Sequence, residues 1–141
     1  MQIFFFVAGK PMAKARVRFS KAGHAFTPER TVNYEGQLAY AAQVAMNGAV
    51  PIEGPVSASV RVYMPIAPSW SKKKREAALT GAIRPTSKPD ADNYAKMLDA
   101  LNHIVWVDDS QVVDLRVVKE YSLNPRMEII VDTLDETSVT E

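Results

Sequence analysis

The segment Lys88-Pro89-Asp90-Ala91-Asp92-Asn93-Tyr94-Ala95-Lys96 and the pair Asp108-Asp109 set four carboxylates on either side of Lys96 in the sequence. Carboxylates are hard oxygen ligands suited to Mg²⁺, and their mutual repulsion is offset when a cation or a positive partner sits among them. Three such groups can hold one or two Mg²⁺ ions. A metal so held lowers the pKa of bound water, orients it for in-line attack on a phosphodiester and stabilises charge on the leaving 3′ oxygen. Lys96 would act beside it as fixed positive charge near the phosphate, since an ammonium is not a metal ligand.

Asp92, Lys96 and Asp99 are spaced four and three residues apart, which places them on one face of a helix. Taken alone, that spacing describes an ordinary helix-stabilising ion pair, with Asp92 as an N-cap. Asp90 shifts the balance, because it brings a second carboxylate to the helix entrance, where unpaired backbone N–H groups favour negative charge. Asp108 and Asp109 close the apolar run Ile104-Val105-Trp106-Val107. Adjacent side chains at a strand end point to opposite sides, so one of the two faces the cluster, and the local pattern leaves open which.

The net charge of +1 conceals a division along the chain: residues 1 to 89 hold 13 Lys/Arg against 4 Asp/Glu, and residues 90 to 141 hold 4 against 12. A basic surface beside an acidic, metal-binding centre suits contact with a polyanion such as nucleic acid. Lys14, Arg16, Arg18, Lys72, Lys73, Lys74, Arg75 and Lys88 are the expected phosphate contacts. Trp70, beside the last basic run, anchors a short helix in the simpler reading and stacks on a base in the other. Without cysteine, disulfides, thiolate metal sites and cysteine nucleophiles are excluded. His24 and His103 are too isolated to suggest zinc, and no serine has evident triad partners. The start, Met1 to Val7, lacks a basic n-region and meets Lys10 too early for a signal peptide or membrane span, so a cytoplasmic protein is the expectation.

At 141 residues the chain suits one domain. The sequence predicts a buried strand over the apolar, β-prone residues 2 to 8, an exposed basic ribbon or loop over 14 to 21, and a helix from Thr31 to Asn47 stopped by Gly48. Val56 to Met64 alternates with period two, a strand with one buried face. Ser69 or Ser71 caps a short helix carrying Lys72 to Glu76 and ending near Gly81, and residues 82 to 89 read as loop. A helix then runs from Asp92 to about Asn102, with Met97, Leu98 and Leu101 inward. Residues 104 to 107 are expected to be buried, with Trp106 in the core. Gln111 to Tyr121 and Arg126 to Thr133 read as strands joined as a hairpin by Ser122-Leu123-Asn124-Pro125. The expected fold is α/β in the α+β sense: a small mixed or largely antiparallel sheet packed by two or three helices over residues 1–133, followed by an acidic, loosely ordered tail over 134–141.

The run Pro89-Asp90-Ala91-Asp92-Asn93 with Lys96, Asp99 and Leu101, followed by Trp106-Val107-Asp108-Asp109-Ser110-Gln111-Val112-Val113, resembles the RusA-type Holliday junction resolvases. The resemblance extends over Lys14 to Arg18, Phe26-Thr27-Pro28 and Trp70 to Glu76, and spans about Lys10 through Asp132. It implies a small homodimeric endodeoxyribonuclease that nicks four-way DNA junctions in symmetric pairs with Mg²⁺ or Mn²⁺, in recombination and repair, often in a prophage or phage setting. By the same resemblance Asp90, Asp92 and Asp109 are the essential metal-binding carboxylates and Lys96 the catalytic lysine. Asp108 and Asp99 become supporting or secondary candidates. A non-catalytic, structure-selective DNA-binding protein of the same fold is the alternative.

Overall fold

The computed structural model describes residues 1–135. Four strands form the main sheet: β1 (Gln2–Ala8), β4 (Val56–Met64), β5 (Val112–Tyr121) and β6 (Arg126–Thr133), in the spatial order β1-β6-β4-β5. β6 runs antiparallel to both β1 and β4, while β4 and β5 are parallel. A separate two-stranded ribbon, β2 (Arg18–Phe19) with β3 (Ala25–Phe26), carries the basic stretch expected to be exposed.

The alternation expected for residues 56–64 is borne out, and the strand expected over 2–8 forms with only its odd residues buried rather than both faces. Ile3, Phe5 and Val7 of β1, Val56, Ala58, Val60 and Val62 of β4, and Met127, Ile129 and Val131 of β6 are all buried on one face. Against that face packs α1 (Glu29–Met46), whose Tyr34, Leu38, Ala42 and Met46 recur every four residues and are buried. α1 starts two residues before the expected Thr31 and ends where Asn47 and then Gly48 adopt positive φ. α2 (Lys72–Thr80) is capped by the Ser71 hydroxyl, which accepts from the Lys74 N–H at 3.2 Å, and stops at Gly81 with φ 83°. Trp70 meets the Tyr121 ring edge-on at 5.2 Å and has Lys74 Nζ 4.1 Å above it, so it anchors the base of α2.

Two expectations are corrected. β5 and β6 are not a paired hairpin, because β4 lies between them and bonds to both. Strands two places apart are separated by about 10 Å, a span that four residues at ~3.3 Å each can cross. The helix expected over 92–102 is also divided. α3 (Ala91–Ala95) gives way at Lys96 to a 3-10 helix, Lys96–Leu101. Its three-residue repeat stacks Leu98 over Leu101, and both are buried.

Residues 104–107 form a turn rather than an apolar strand. Val105 and Trp106 are buried and Trp106 donates its indole N–H to Asn102 Oδ1 at 2.8 Å, but Val107 is exposed. Of the expected acidic tail, Leu134 still donates its N–H to the Pro55 carbonyl at 3.0 Å, and residues 136–141 lie outside the described residues. No helix among the described residues is long and apolar enough to cross a membrane.

Candidate active site

The acidic segment is held from β5. Lys119 Nζ donates to the carbonyls of Ser87 at 2.8 Å and Pro89 at 2.9 Å, fixing the chain immediately before Asp90. α3 begins one residue later, with buried Tyr94 beneath it donating its hydroxyl weakly to Met64 Sδ at 3.7 Å. From the other side, the Lys14 N–H donates to the Asn93 carbonyl at 3.1 Å. Three separate parts of the chain thus converge on one turn of helix.

Asp90 occupies the N-cap position of α3, but its carboxylate makes no capping hydrogen bond. Asp92 lies in the first turn, exposed, and Lys96 closes the helix. The simple ion pair between Asp92 and Lys96 does not form. Lys96 Nζ instead donates to Asn93 Oδ1 at 3.3 Å, which leaves both Asp90 and Asp92 without a cationic side-chain partner among the described residues.

Asp99 does not join them. Its carboxylate receives Lys14 Nζ at 3.0 Å, and the same ammonium lies 2.8 Å from Glu35 Oε1, tying the 3-10 helix to α1. Burial pulls the Lys14 pKa down, but the hydrogen bonds and charges of Glu35 and Asp99 outweigh it and leave Lys14 above its usual value. Asp99, expected as a secondary metal candidate, and Lys14, expected as a phosphate contact, are here engaged with each other.

The second acidic motif divides into separate tasks. Asp108 is the N-cap of a 3-10 turn, Asp109–Gln111; its carboxylate accepts from the Ser110 N–H at 2.9 Å while the Gln111 side chain accepts from the Asp108 N–H at 2.9 Å. This is a capping box. The Ser110 hydrogen bonds hold the Asp108 carboxyl below its ordinary pKa. Gln111 Nε2 also donates to the carbonyls of Ile52 at 2.7 Å and Gly54 at 2.9 Å, pinning the turn to the approach of β4. Asp109 is exposed and takes no side-chain hydrogen bond or ion pair from the described residues. The choice that the sequence pattern left open has a local answer: Asp108 shapes the turn, and Asp109 is the free carboxylate.

Basic residues surround this acidic segment more closely than their sequence positions suggest. Two adjoining clefts of about 260 Å³ each share Lys10, Met64, Lys88 and Tyr94; one adds Arg30 and Pro89, and the other adds Trp70, Lys119 and Tyr121. Lys88 lines both clefts, and Arg16, Arg18, Lys72, Lys73, Lys74 and Arg75 are exposed.

The family model described as Endodeoxyribonuclease RusA matches residues 8–132. The chain belongs to the RusA endodeoxyribonuclease family. It is also 45% identical over 135 residues to the uncharacterized protein YqaN of Bacillus subtilis (strain 168), a match covering 92% of this chain and 94% of that one.

Within this RusA-family fold, Asp90, Asp92 and Lys96 share α3, and Asp109 stands on a separate turn beyond the 3-10 helix. Among the described residues, no three His, Cys, Asp or Glu side chains are already drawn together around a point where a metal ion would sit. The donor chemistry of Asp90, Asp92 and Asp109 is that of a hard divalent cation's ligands: three exposed carboxylates, none in a salt bridge among the described residues.

Sequence reasoning missed Lys119, Lys10 and Arg30. Lys10 and Arg30 belong to the basic excess of the first 89 residues, which is the signal that could have included them. Lys119 carries no local signal, because its carbonyl partners lie 30 and 32 residues away.

Gln111→Ala should be destabilising in a way that reports on this turn. It strips one partner from each of the Ile52 and Gly54 carbonyls, an effect worth about 1–3 kcal/mol. Thermal unfolding should register the loss, and cleavage should fall along with it as Asp109 loses its fixed position. An unchanged melting temperature would show that the turn is held by other contacts.

Proposed function

We propose that the protein is a divalent-metal-dependent endodeoxyribonuclease that resolves four-way DNA junctions in recombination and repair, by paired nicks from the two centres of a homodimer, in a phage or prophage setting. The observation that carries this reading is that Asp90, Asp92 and Asp109 are exposed and uncommitted among the described residues, with Lys10, Arg30 and Lys88 lining clefts next to Pro89, immediately before Asp90.

Asp90, Asp92 and Asp109 would hold Mg²⁺, or Mn²⁺ in its place. When bound, the metal supplies an activated water and neutralises charge on the scissile phosphate. The protein's own groups do the rest. Lys96, tethered by Asn93, presents an ammonium to a phosphate oxygen or the leaving oxygen. Lys10, Arg30 and Lys88 draw the backbone toward the acids, and Arg16, Arg18, Lys72, Lys73 and Arg75 extend the positive surface along a junction arm. Lys119 keeps the Pro89 carbonyl, and therefore Asp90, in place.

A non-catalytic junction-binding protein would share the basic surface, and carboxylates not gathered around one point among the described residues are compatible with it. One experiment separates the two readings. Labelled immobile four-way junctions of varied sequence, and linear duplex, are incubated with the protein in Mg²⁺, in Mn²⁺ and in chelator, and the products are mapped on both strands. Symmetric nicks that require metal are expected on the junction. Junction binding without nicks in either metal would favour the binding protein. Affinity should also fall steeply with salt, with log K declining by about 0.9 for each phosphate neutralised per unit of log salt concentration.

A further inference from the structure

Every residue from Arg16 to Phe26, the stretch that holds the β2–β3 ribbon, is exposed. Among them are Phe19 at 72%, Val17 at 53% and Phe26 at 46% exposure. A single exposed apolar residue needs no explanation. These stand between Arg16, Arg18, Lys21 and His24, none of which has a salt-bridge partner among the described residues, and no Asp or Glu occurs in the chain before Glu29. Rings interleaved with unpaired cations and free of acid suit nucleic acid, which offers phosphates to the cations and base faces to the rings.

The ribbon is fixed at its tip and at its root. At the tip the Ser20 N–H donates to the His24 carbonyl and the Gly23 N–H to the Ser20 carbonyl, both at 2.9 Å, while Ser20 Oγ accepts from the His24 N–H at 3.2 Å. Gly23 supplies the φ of 82° that this turn requires. In the antiparallel register Phe19 faces Ala25 and Arg18 faces Phe26, so Phe19 shares its side of the ribbon with a small residue that leaves the ring uncovered. At the root, Lys14 is tied to α3 through the Asn93 carbonyl, and the returning leg runs through Pro28 into α1. Met12 and Ala13 on one leg and Arg30 beyond the other line the cleft that includes Pro89, next to Asp90. Phe19 therefore stands near the acidic segment, within about 17 Å of Lys14, which is the reach of the extended chain between them and about five nucleotide steps along one strand.

We infer that Phe19 stacks on a base pair exposed at the branch point of an opened four-way junction, with Arg18 and Lys21 on the flanking phosphates, and that this stack makes the protein prefer junctions to linear duplex. Phosphate contacts cannot supply that preference, because every duplex arm carries the same backbone. The ring can. Inside a continuous duplex each base pair is covered on both faces, so a wedging side chain must first break a stack. Where the arms of an opened junction meet, base pairs end with a bare face, and an aromatic ring gains a stack without breaking one.

Trp70 is the other ring set among cations, but Lys74 lies over it and Tyr121 meets it edge-on, so it is already engaged within the fold. Phe19 has no such neighbours: neither an aromatic nor a cation–π partner meets it among the described residues. The excess of cations around it favours a polyanion over a protein as the occupant. The inference rests on the junction-binding part of the proposed function and deepens it. It concerns binding alone and is tested in chelator, so its failure is distinguishable from a failure to cleave.

Affinities for a labelled immobile four-way junction, and for a linear duplex carrying the sequence of one arm, are measured by anisotropy in chelator. Phe19→Ala should bind the junction about 5- to 150-fold more weakly, the scale of one base–aromatic stack, with duplex affinity and melting temperature unchanged. Phe19→Trp keeps a stacking ring and should restore junction affinity. Arg18→Ala, which removes a phosphate contact, should instead weaken junction and duplex alike and lower the salt slope by about one. As a direct readout, 2-aminopurine placed at the branch point should change its emission with the parent protein and with Phe19→Trp at saturation, and not with Phe19→Ala. Junction affinity that survives Phe19→Ala, an equal loss on junction and duplex, a parent protein with no preference for the junction, or a Phe19→Ala protein whose sedimentation differs from the parent's and so marks the ring as a protein contact would each overturn the proposal. A Phe19-dependent junction preference without nicking in Mg²⁺ or Mn²⁺ would uphold it while removing the nuclease reading.

Discussion

Asp109→Asn is expected to remove junction cleavage while leaving fold and junction binding in place. Its carboxylate supports no hydrogen bond of the turn that carries it, so the amide disturbs nothing structural. On the proposed mechanism, what it loses is a hard anionic ligand. Metal stabilisation of a phosphoryl transition state is worth several kcal/mol, and each 1.36 kcal/mol is tenfold, so a single-turnover rate down roughly a hundredfold or more is expected. Asp90→Asn and Asp92→Asn should behave alike, because neither carboxylate caps α3 or pairs with a lysine. Asp108→Asn is the control next door: asparagine caps as well as aspartate, so the turn should persist and much of the cleavage with it. Measuring rate, gel-shift affinity and melting temperature on the four variants separates these outcomes. A dead Asp108→Asn beside an active Asp109→Asn would reverse the assignment.

Lys119→Met should lower cleavage by about 10- to 100-fold, the usual scale for groups that orient ligands rather than touch substrate. The ammonium joins β5 to the carbonyls of Ser87 and Pro89, and Asp90 is the next residue along. Without it, the loop loses two charge-assisted hydrogen bonds, and a displacement of about 1 Å at a reacting group can by itself cost on the order of a hundredfold. A lysine that served mainly as a phosphate contact would instead weaken binding and flatten its salt dependence. The comparison to make is therefore turnover at saturating protein against affinity across salt. Lys119→Arg, which retains charge and donors, should recover a substantial part of the rate. If the methionine variant loses affinity and keeps its saturated rate, Lys119 belongs to the DNA surface.

Much of the fold was legible because its signals are local. β1, β4 and β6 coincide with the apolar, β-prone spans read as strands, β4 with its predicted alternation, and the Ser71 cap and Gly81 stop bound α2 where turn chemistry puts them. The acidic residues were legible too, since carboxylates at a helix entrance and in Asp-Asp-Ser-Gln stand out against a basic half. The errors came where a local pattern admits two solutions. A four-residue connection fits a hairpin or a step across one intervening strand, and only the hydrogen bonds of β4 to both neighbours decide between them. Asp92, Lys96 and Asp99 share a face in an α-helix, but the chain turns 3-10 at Lys96, and Lys14, 85 residues earlier, captures Asp99.

The sequence by itself determined the materials of the proposed chemistry: which carboxylates are present, that Lys96 lies among them, and that a basic excess precedes them along the chain. Periodicity, caps and charge are properties of neighbouring residues, and they survive without knowledge of the rest of the fold. The tertiary structure decided which of those groups are free to act. Asp108 was committed to a cap, Asp99 and Lys14 to each other, and Lys119 to the loop before Asp90, while Asp109 was left open and the edge of β1 bare. Each of these depends on where residues distant in sequence, or the atoms of a particular turn, come to rest, and no pattern of residue types fixes that in advance.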